Sequence, residues 1–217
     1  FLIMMTAKAA ASHVREICEL APIIPVLVVD DAVHAKTLAE ALIMGGLPVL
    51  EVTLRTPVAF DVIAEMASVP DGVVGAGTLI TPDDVKAAKA AGAQFGVSPG
   101  ATDALIAACE AEGLPLLPGA ATATEAMALL ARGYDMQKFF PAEASGGVPA
   151  LKAIGGPLSQ ISFCPTGGID SSNADSYLRL RNVICAGGSW VAPKDKVLEG
   201  DWAGITTLAG NAAKLKC

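Results

Sequence analysis

The chain has 217 residues, enough for one large domain or two small ones; 53% are hydrophobic and only 17% charged. That balance suits strands buried on both faces, as in a parallel sheet wrapped by helices. A formal charge of -7 argues against nucleic acid as a partner. The apolar opening Phe1–Met5 is short and has no basic stretch before it, so neither a signal peptide nor a membrane span is expected. The five cysteines, at 18, 109, 164, 185 and 217, form no Cys-x-x-Cys pair, and His13 and His34 lie far from any cysteine cluster. No zinc or other metal site is expected, and the compartment implied is a reducing cytoplasm.

Residues 6–20 carry Val14, Ile17, Cys18 and Ala21 at helical spacing, which predicts an N-terminal helix within residues 1–21. The run 23–29 is too short for a buried helix and predicts a first strand, with Pro25 near its start or at a bulge. Asp30 and Asp31 open a helix to about Met44, stopped by Gly45-Gly46. The second strand, 48–54, alternates: Val49, Glu51, Thr53 and Arg55 share one face, and Leu50, Val52 and Leu54 the other. The cadence continues with strands at 73–78, 95–100, 115–119, 137–141, 161–165 and 182–186. Helices between them cover about 57–67, 82–91, 102–112, 124–132, 147–154 and 172–180, and a last helical region runs over 194–215. Strand-helix alternation predicts a parallel sheet, and eight such units predict a (β/α)8 TIM barrel with one extra helix in front. An open doubly wound sheet is the alternative, weakened by the lack of Gly-x-Gly-x-x-Gly with an acidic residue about twenty positions on. No linker, low-complexity tract or charge run divides the chain, so residues 1–217 are expected to form a single domain.

In such a barrel the chemistry sits at the C-terminal ends of the strands. Those ends present Glu51 and Arg55, Thr78, Ser98-Pro99-Gly100, Pro118-Gly119, Lys138 with Phe140, Pro165-Thr166-Gly167-Gly168, and Gly187-Gly188-Ser189. Lys138 is the only lysine in a predicted strand. An apolar surround disfavours an ammonium, and a neutral lysine attacks a ketone to give a Schiff base. Taken alone, Lys138 also reads as an edge-strand lysine facing water. Arg55 offers a two-donor fork for a carboxylate; its other reading is an ion pair with a loop acid. Glu51 is a candidate general base; its other reading is a carboxylate held by Arg55. Glycine pairs after the seventh and eighth strands let backbone N–H groups approach a phosphate, and Ser189 could add a hydroxyl. Glu143 reads as a loop or cap residue, and Trp190 and Trp202 as packing anchors.

Seven ordered segments resemble the class I aldolases that cleave 2-keto-3-deoxy-6-phosphogluconate (KDPG), a group shared with 4-hydroxy-2-oxoglutarate aldolase. They are Leu50–Thr56, Val74–Thr78, Val97–Gly100, Leu117–Gly119, Lys138–Glu143, Phe163–Gly168 and Gly187–Trp190. The resemblance implies a homotrimeric barrel that needs no cofactor and no metal, acting on a phosphorylated 2-keto-3-deoxy sugar acid. It implies a Schiff base on Lys138 and proton transfer by Glu51. Arg55 and Thr78 would hold the pyruvate carboxylate, and Pro99 and Phe140 would shape the pyruvate pocket. Thr166 would contact the hydroxylated part of the substrate and favour the gluconate epimer. Gly167, Gly168, Gly188 and Ser189 would bind phosphate. Gln137 departs from the family, which has an apolar residue before the lysine, and is expected to face the helices. Other readings of the same residues are an aldolase acting chiefly on 4-hydroxy-2-oxoglutarate, a phosphosugar isomerase or epimerase, and a non-catalytic phosphosugar-binding barrel.

Overall fold

The computed structural model describes residues 7–215; the apolar opening and Cys217 lie outside them. The chain alternates strands and helices. Helix α1 (Ala7–Cys18) leads into β1 (Ile23–Leu27), a short 3-10 turn (Ala32–His34), α2 (Ala35–Met44), β2 (Val49–Thr53), α3 (Ala59–Ala67) and β3 (Val73–Gly77). Next come α4 (Pro82–Ala90), β4 (Phe95–Val97), α5 (Asp103–Glu112), β5 (Leu116–Leu117), β6 (Gly119–Ala120), α6 (Ala123–Ala131) and β7 (Met136–Phe139). The remainder is α7 (Gly147–Gly155), β8 (Ser162–Pro165), α8 (Ala174–Leu178), β9 (Ala186–Gly188), α9 (Lys194–Glu199) and α10 (Trp202–Ala212). No helix among these residues is long and apolar enough to cross a membrane.

The strands are parallel and form a curled α/β core of two sheets, ordered β5-β4-β3-β2-β1-β9 and β6-β7-β8. This corrects the expected run of eight uninterrupted strands. Pro118, which has no N–H to give, falls between β5 and β6 and splits the predicted 115–119 strand. The predicted strand 182–186 contributes a single bridge, Val183 to Phe163, and the ladder proper begins at Ala186, which pairs with Ile23 of β1. A second bridge, Thr166 to Gly187, also links β8 to this segment. Pro25 is the third residue of β1, where the ladder to β9 ends and that to β2 begins at Val26. Its missing donor falls at that handover. The predicted last helix is broken at Gly200, which has a φ of 69°, and Asp201 restarts it as an N-cap that accepts from the Gly204 N–H at 2.9 Å.

Side-chain parity divides the core into two clusters. Leu50, Val52, Val74, Ala76, Phe139 and Phe163 point outward into the helix layer. Ile24, Val49, Phe95, Val97, Leu117, Met136, Cys164 and Cys185 point inward and pack with Val14, Ile17 and Cys18 of α1. Each such apolar side chain contributes about 1.5–3 kcal/mol by leaving water. Helix α1 therefore stoppers the N-terminal end of the curled sheet. Arg15 fixes it there, donating to Ser162 Oγ at 3.1 Å and to the Asp135 carbonyl at 3.4 Å. The outer helices are set by local signals: Thr81 with Asp84 and Thr122 with Glu125 form capping boxes at the starts of α4 and α6. Gln137 faces the helices as expected, and its buried amide donates to the carbonyls of Tyr134 at 2.8 Å and Ala126 at 3.0 Å.

The described cysteines, 18, 109, 164 and 185, are all buried. Burial pushes Cys109 up to about 12, and contacts with Cys164 and then Cys18, together with burial, push Cys185 well up. These four should therefore resist iodoacetamide at pH 8 in the folded protein and react only in denaturant, as peptide mass spectrometry would show; native-state labelling of Cys185 would contradict this packing.

Candidate active site

Parity carries two charged side chains into the interior. On β2 the inward series is Val49, Glu51, Thr53, and on β7 it is Met136, then Lys138. Glu51 and Lys138 therefore stand one step above the apolar stopper, toward the C-terminal ends of the strands. Lys138 Nζ donates to Glu51 Oε1 at 3.1 Å, with the two residues only 5% and 3% exposed. The lysine meets a carboxylate rather than the wholly apolar surround that Phe139-Phe140 suggests. Phe139 turns outward to pack edge-on against Phe163, while the Phe140 ring lies under the amine with its centroid 5.3 Å from Nζ. The edge-strand reading of Lys138 is ruled out, because β7 lies between β6 and β8. Glu51 is paired with Lys138, not with Arg55.

Two glycines of β3, to which the sequence assigned no role, make room for this interior. A Cβ on Gly77 would sit 2.3 Å from Glu51 Oε1, and one on Gly75 would sit 2.4 Å from the Phe95 ring. The signal was present in Val-Val-Gly-Ala-Gly-Thr: glycines two apart in a strand mark a face where something approaches closely.

Around this pair the strand ends spread the remaining candidates. Just past β2 the chain turns tightly, with the Leu54 N–H on the Gly77 carbonyl at 2.9 Å and the Arg55 N–H on the Thr53 carbonyl at 2.8 Å. Arg55 is exposed, and no ion pair engages it among the described residues, so the loop-acid reading finds no partner there. Thr78 has a φ of 63°, which costs a β-branched residue about 1–3 kcal/mol. The next residue anchors it, the Leu79 N–H donating to the Val97 carbonyl at 3.1 Å. Pro99 crosses over β6: a Cβ on Gly119 would lie 2.2 Å from the Pro99 carbonyl oxygen. Pro99 and Phe140 also line a recess of about 380 Å³ between α5 and α6, which adjoins the ion pair but does not include it.

On the opposite rim Thr166 is buried, and its Oγ1 lies 3.9 Å from Cys164 Sγ. A Cβ on Gly187 would come within 2.4 Å of that hydroxyl oxygen. The Thr166–Gly187 bridge sets the two glycine pairs side by side. Gly167 and Gly168 have φ of 101° and 77°, conformations that favour glycine, while Gly188 is covered by the Trp190 ring and Ser189 is exposed. Lys138, Glu51, Phe140 and Thr166 are thus inside or bordering one interior, with Arg55, Pro99, Gly168 and Ser189 exposed around it.

A buried amine that shares a proton-accepting partner can form a covalent adduct with a carbonyl and exchange protons in place. Comparisons with known proteins agree with that chemistry. The family model for KDPG and KHG aldolase matches residues 14–208. The 2-dehydro-3-deoxy-phosphogluconate aldolase of Pseudoalteromonas atlantica is 52% identical over 91% of this chain and 93% of its own. The 2-keto-3-deoxy-6-phosphogluconate aldolase of Zymomonas mobilis, solved with 3-phosphoglycerate, superposes with a TM-score of 0.91 at 47% identity, covering 95% of this chain and 97% of that one. The KDPG aldolase of Legionella pneumophila, with pyruvate captured as a covalent carbinolamine, gives 0.89 at 46% identity, over 92% and 98%.

Removing one member of a buried ion pair strands the other. Glu51→Ala should lower stability by about 3–5 kcal/mol in urea unfolding. The double variant Glu51→Ala/Lys138→Met should be more stable than Glu51→Ala alone; equal or lower stability would mean that the pair is not coupled in the folded protein.

Proposed function

The chain belongs to the KDPG and KHG aldolase family, and from that premise we propose that it is a class I aldolase cleaving KDPG to pyruvate and glyceraldehyde 3-phosphate through a Schiff base on Lys138. The observation that carries this reading is the buried contact of 3.1 Å between Lys138 Nζ and Glu51 Oε1. That contact supports a nucleophile and a proton carrier acting on the same substrate atoms.

In this reading Lys138 gives a proton to Glu51 across their 3.1 Å contact and its neutral amine adds to the C2 ketone; Glu51 returns that proton as the carbinolamine hydroxyl leaves as water, giving a protonated imine. That cation takes up the electron pair released when the C3–C4 bond breaks. Glu51, acting through water, removes the proton of the C4 hydroxyl, and the aldehyde leaves. Glu51 then returns a proton to the enamine carbon, and hydrolysis frees pyruvate and the lysine. Arg55 carries a guanidinium with no ion-pair partner among the described residues, which suits a substrate carboxylate. Thr78, in its left-handed conformation at the end of β3, serves the same group. Phe140 and Pro99 wall the pyruvate pocket. Thr166 meets the hydroxylated portion, and Gly167, Gly168, Gly188 and Ser189 take the phosphate.

The same reading makes the two sheets one (β/α)8 barrel and one domain. Three features support it: the continuous chain through Pro118, the two bridges from β8 to the β9 segment, and the closing contact of α10 on α2, where Thr206 Oγ1 donates to the Ala41 carbonyl at 3.1 Å. A homotrimer in the cytoplasm is the assembly this family reading implies; exposed apolar side chains such as Ile80 and Met127 give it surface to bury. The family also covers 4-hydroxy-2-oxoglutarate, which has no phosphate. The paired glycine turns favour the phosphorylated substrate, and kcat/KM for the two compounds decides between them.

Borohydride reduction in the presence of pyruvate should leave a pyruvyl mass on the Lys138 peptide, and Lys138→Ala should abolish both adduct and cleavage in a folded protein. Glu51→Gln should lower kcat by about 10²- to 10⁴-fold. EDTA should leave turnover unchanged. A folded Lys138→Ala protein with full activity would remove the Schiff base, and a strict need for added divalent metal would replace it with a metal-stabilised enolate.

A further inference from the structure

Glu143 lies two residues beyond Phe140-Pro141, in the turn that follows β7, and it is tied to the turn that follows β8. The Ala142 N–H donates to the Thr166 carbonyl at 2.8 Å, and the Glu143 N–H donates to the Gly167 carbonyl at 3.1 Å. The aliphatic part of Glu143 then lies flat against Gly168, where an added Cβ would stand 2.7 Å from Cγ and 2.8 Å from Cβ. The carboxylate itself is drawn off the other way, accepting the phenol proton of Tyr177, which is fully buried in α8. Gly147, at the start of α7 with a φ of 61°, leaves room for both groups: a Cβ there would be 3.3 Å from the phenol oxygen and 3.4 Å from Glu143 Oε1. Asn173 holds Gly168 through its amide, Nδ2 donating to the Gly168 carbonyl at 2.9 Å.

This arrangement resolves an apparent conflict. A carboxylate beside turns that would take a phosphate repels the ligand. The bond from Tyr177 turns the negative end away and leaves methylene carbons facing the glycine. Burial, and after it the Glu143 carboxylate, hold the Tyr177 phenol above its ordinary range, so it remains a donor. We infer that Glu143, clamped by Tyr177, is a positioning residue that sets the Gly167-Gly168 turn, and through it the preference for a phosphorylated over an unphosphorylated substrate. The inference rests on the aldolase reading above and adds the device that shapes its phosphate site. Glu143 touches neither Lys138 nor Glu51, so the carbon-carbon chemistry is not its task.

Steady-state kinetics on KDPG and on 4-hydroxy-2-oxoglutarate test this in wild type, Tyr177→Phe, Glu143→Ala and Glu143→Gln. Tyr177→Phe and Glu143→Ala should each raise KM for KDPG about tenfold, the size expected for loss of one charge-assisted hydrogen bond. Their kcat, and their kcat/KM for the unphosphorylated substrate, should stay within about twofold of wild type. Glu143→Gln keeps an acceptor for the phenol and should stay within about twofold of wild type on both substrates. Equal losses on the two substrates, an unchanged KM in both Tyr177→Phe and Glu143→Ala, or a Glu143→Gln protein as impaired as Glu143→Ala would overturn the inference. Should Tyr177→Phe fail to fold, Glu143→Ala reads the same contact from the exposed side. Wild-type protein that does not turn over KDPG would overturn the aldolase reading itself, and that result is seen before any variant is compared.

Discussion

Two opposite charges are held out of water in the middle of a largely apolar interior. Desolvating a carboxylate and an ammonium costs several kcal/mol each, and their mutual attraction offsets this only when the geometry is good. The contact between Lys138 and Glu51 therefore has to be bracketed on every side. Met136, Cys164 and the α1 side chains close the space below it. Phe140 lies under the amine, and the missing side chain of Gly77 leaves the carboxylate its place. Replacing the pair with well-packed apolar residues would often be neutral or stabilising, so its presence points to chemistry more than to folding.

Much of this was readable from spacing. Alternation along Val49–Thr53 put Glu51 on the face opposite Leu50 and Val52, and the same rule put Lys138 opposite Phe139. Gln137, two positions from Phe139, likewise fell on the helix-facing side and found partners there. What spacing could not supply was contact between strands distant in sequence. That Glu51 pairs with Lys138, and not with the guanidinium four residues on, depends on how β2 and β7 face each other across the curled sheet. The stop at Gly200 and restart at Asp201 did carry a local signal, a glycine followed by a capping acid, that the long apolar periodicity of 194–215 masked. The shift of the last strand to Ala186–Gly188 had no comparable signal, because Val183–Ala186 is as apolar as a strand needs to be and only pairing decides where the ladder starts.

The rim is built differently from the interior. Thr78, Gly167 and Gly168 hold backbone conformations that ordinary residues avoid, and each is braced by neighbouring hydrogen bonds: Leu79 to Val97 of β4 beside Thr78, Glu143 to the Gly167 carbonyl, and Asn173 to the Gly168 carbonyl. Strain of this kind persists only where surrounding contacts over-determine it. The two hydrogen bonds from the turn after β7 to the carbonyls of Thr166 and Gly167 contribute to that, which links the shape of the rim to the strand that carries the lysine.

Helix α1, first met as a stopper, also makes the interior a blind well. Its floor is apolar and tied down through Arg15, so no reactant can arrive or depart from below. On the proposed reading, whatever bonds to Lys138 sits deepest, and the fragment cut from it must leave past the rim before the bound fragment can follow. The same one-sidedness divides the substrate into a half whose dimensions the floor dictates and a half that only the rim restrains. On that reading, substitutions at the rim would alter the half that leaves without disturbing the half seated on the floor.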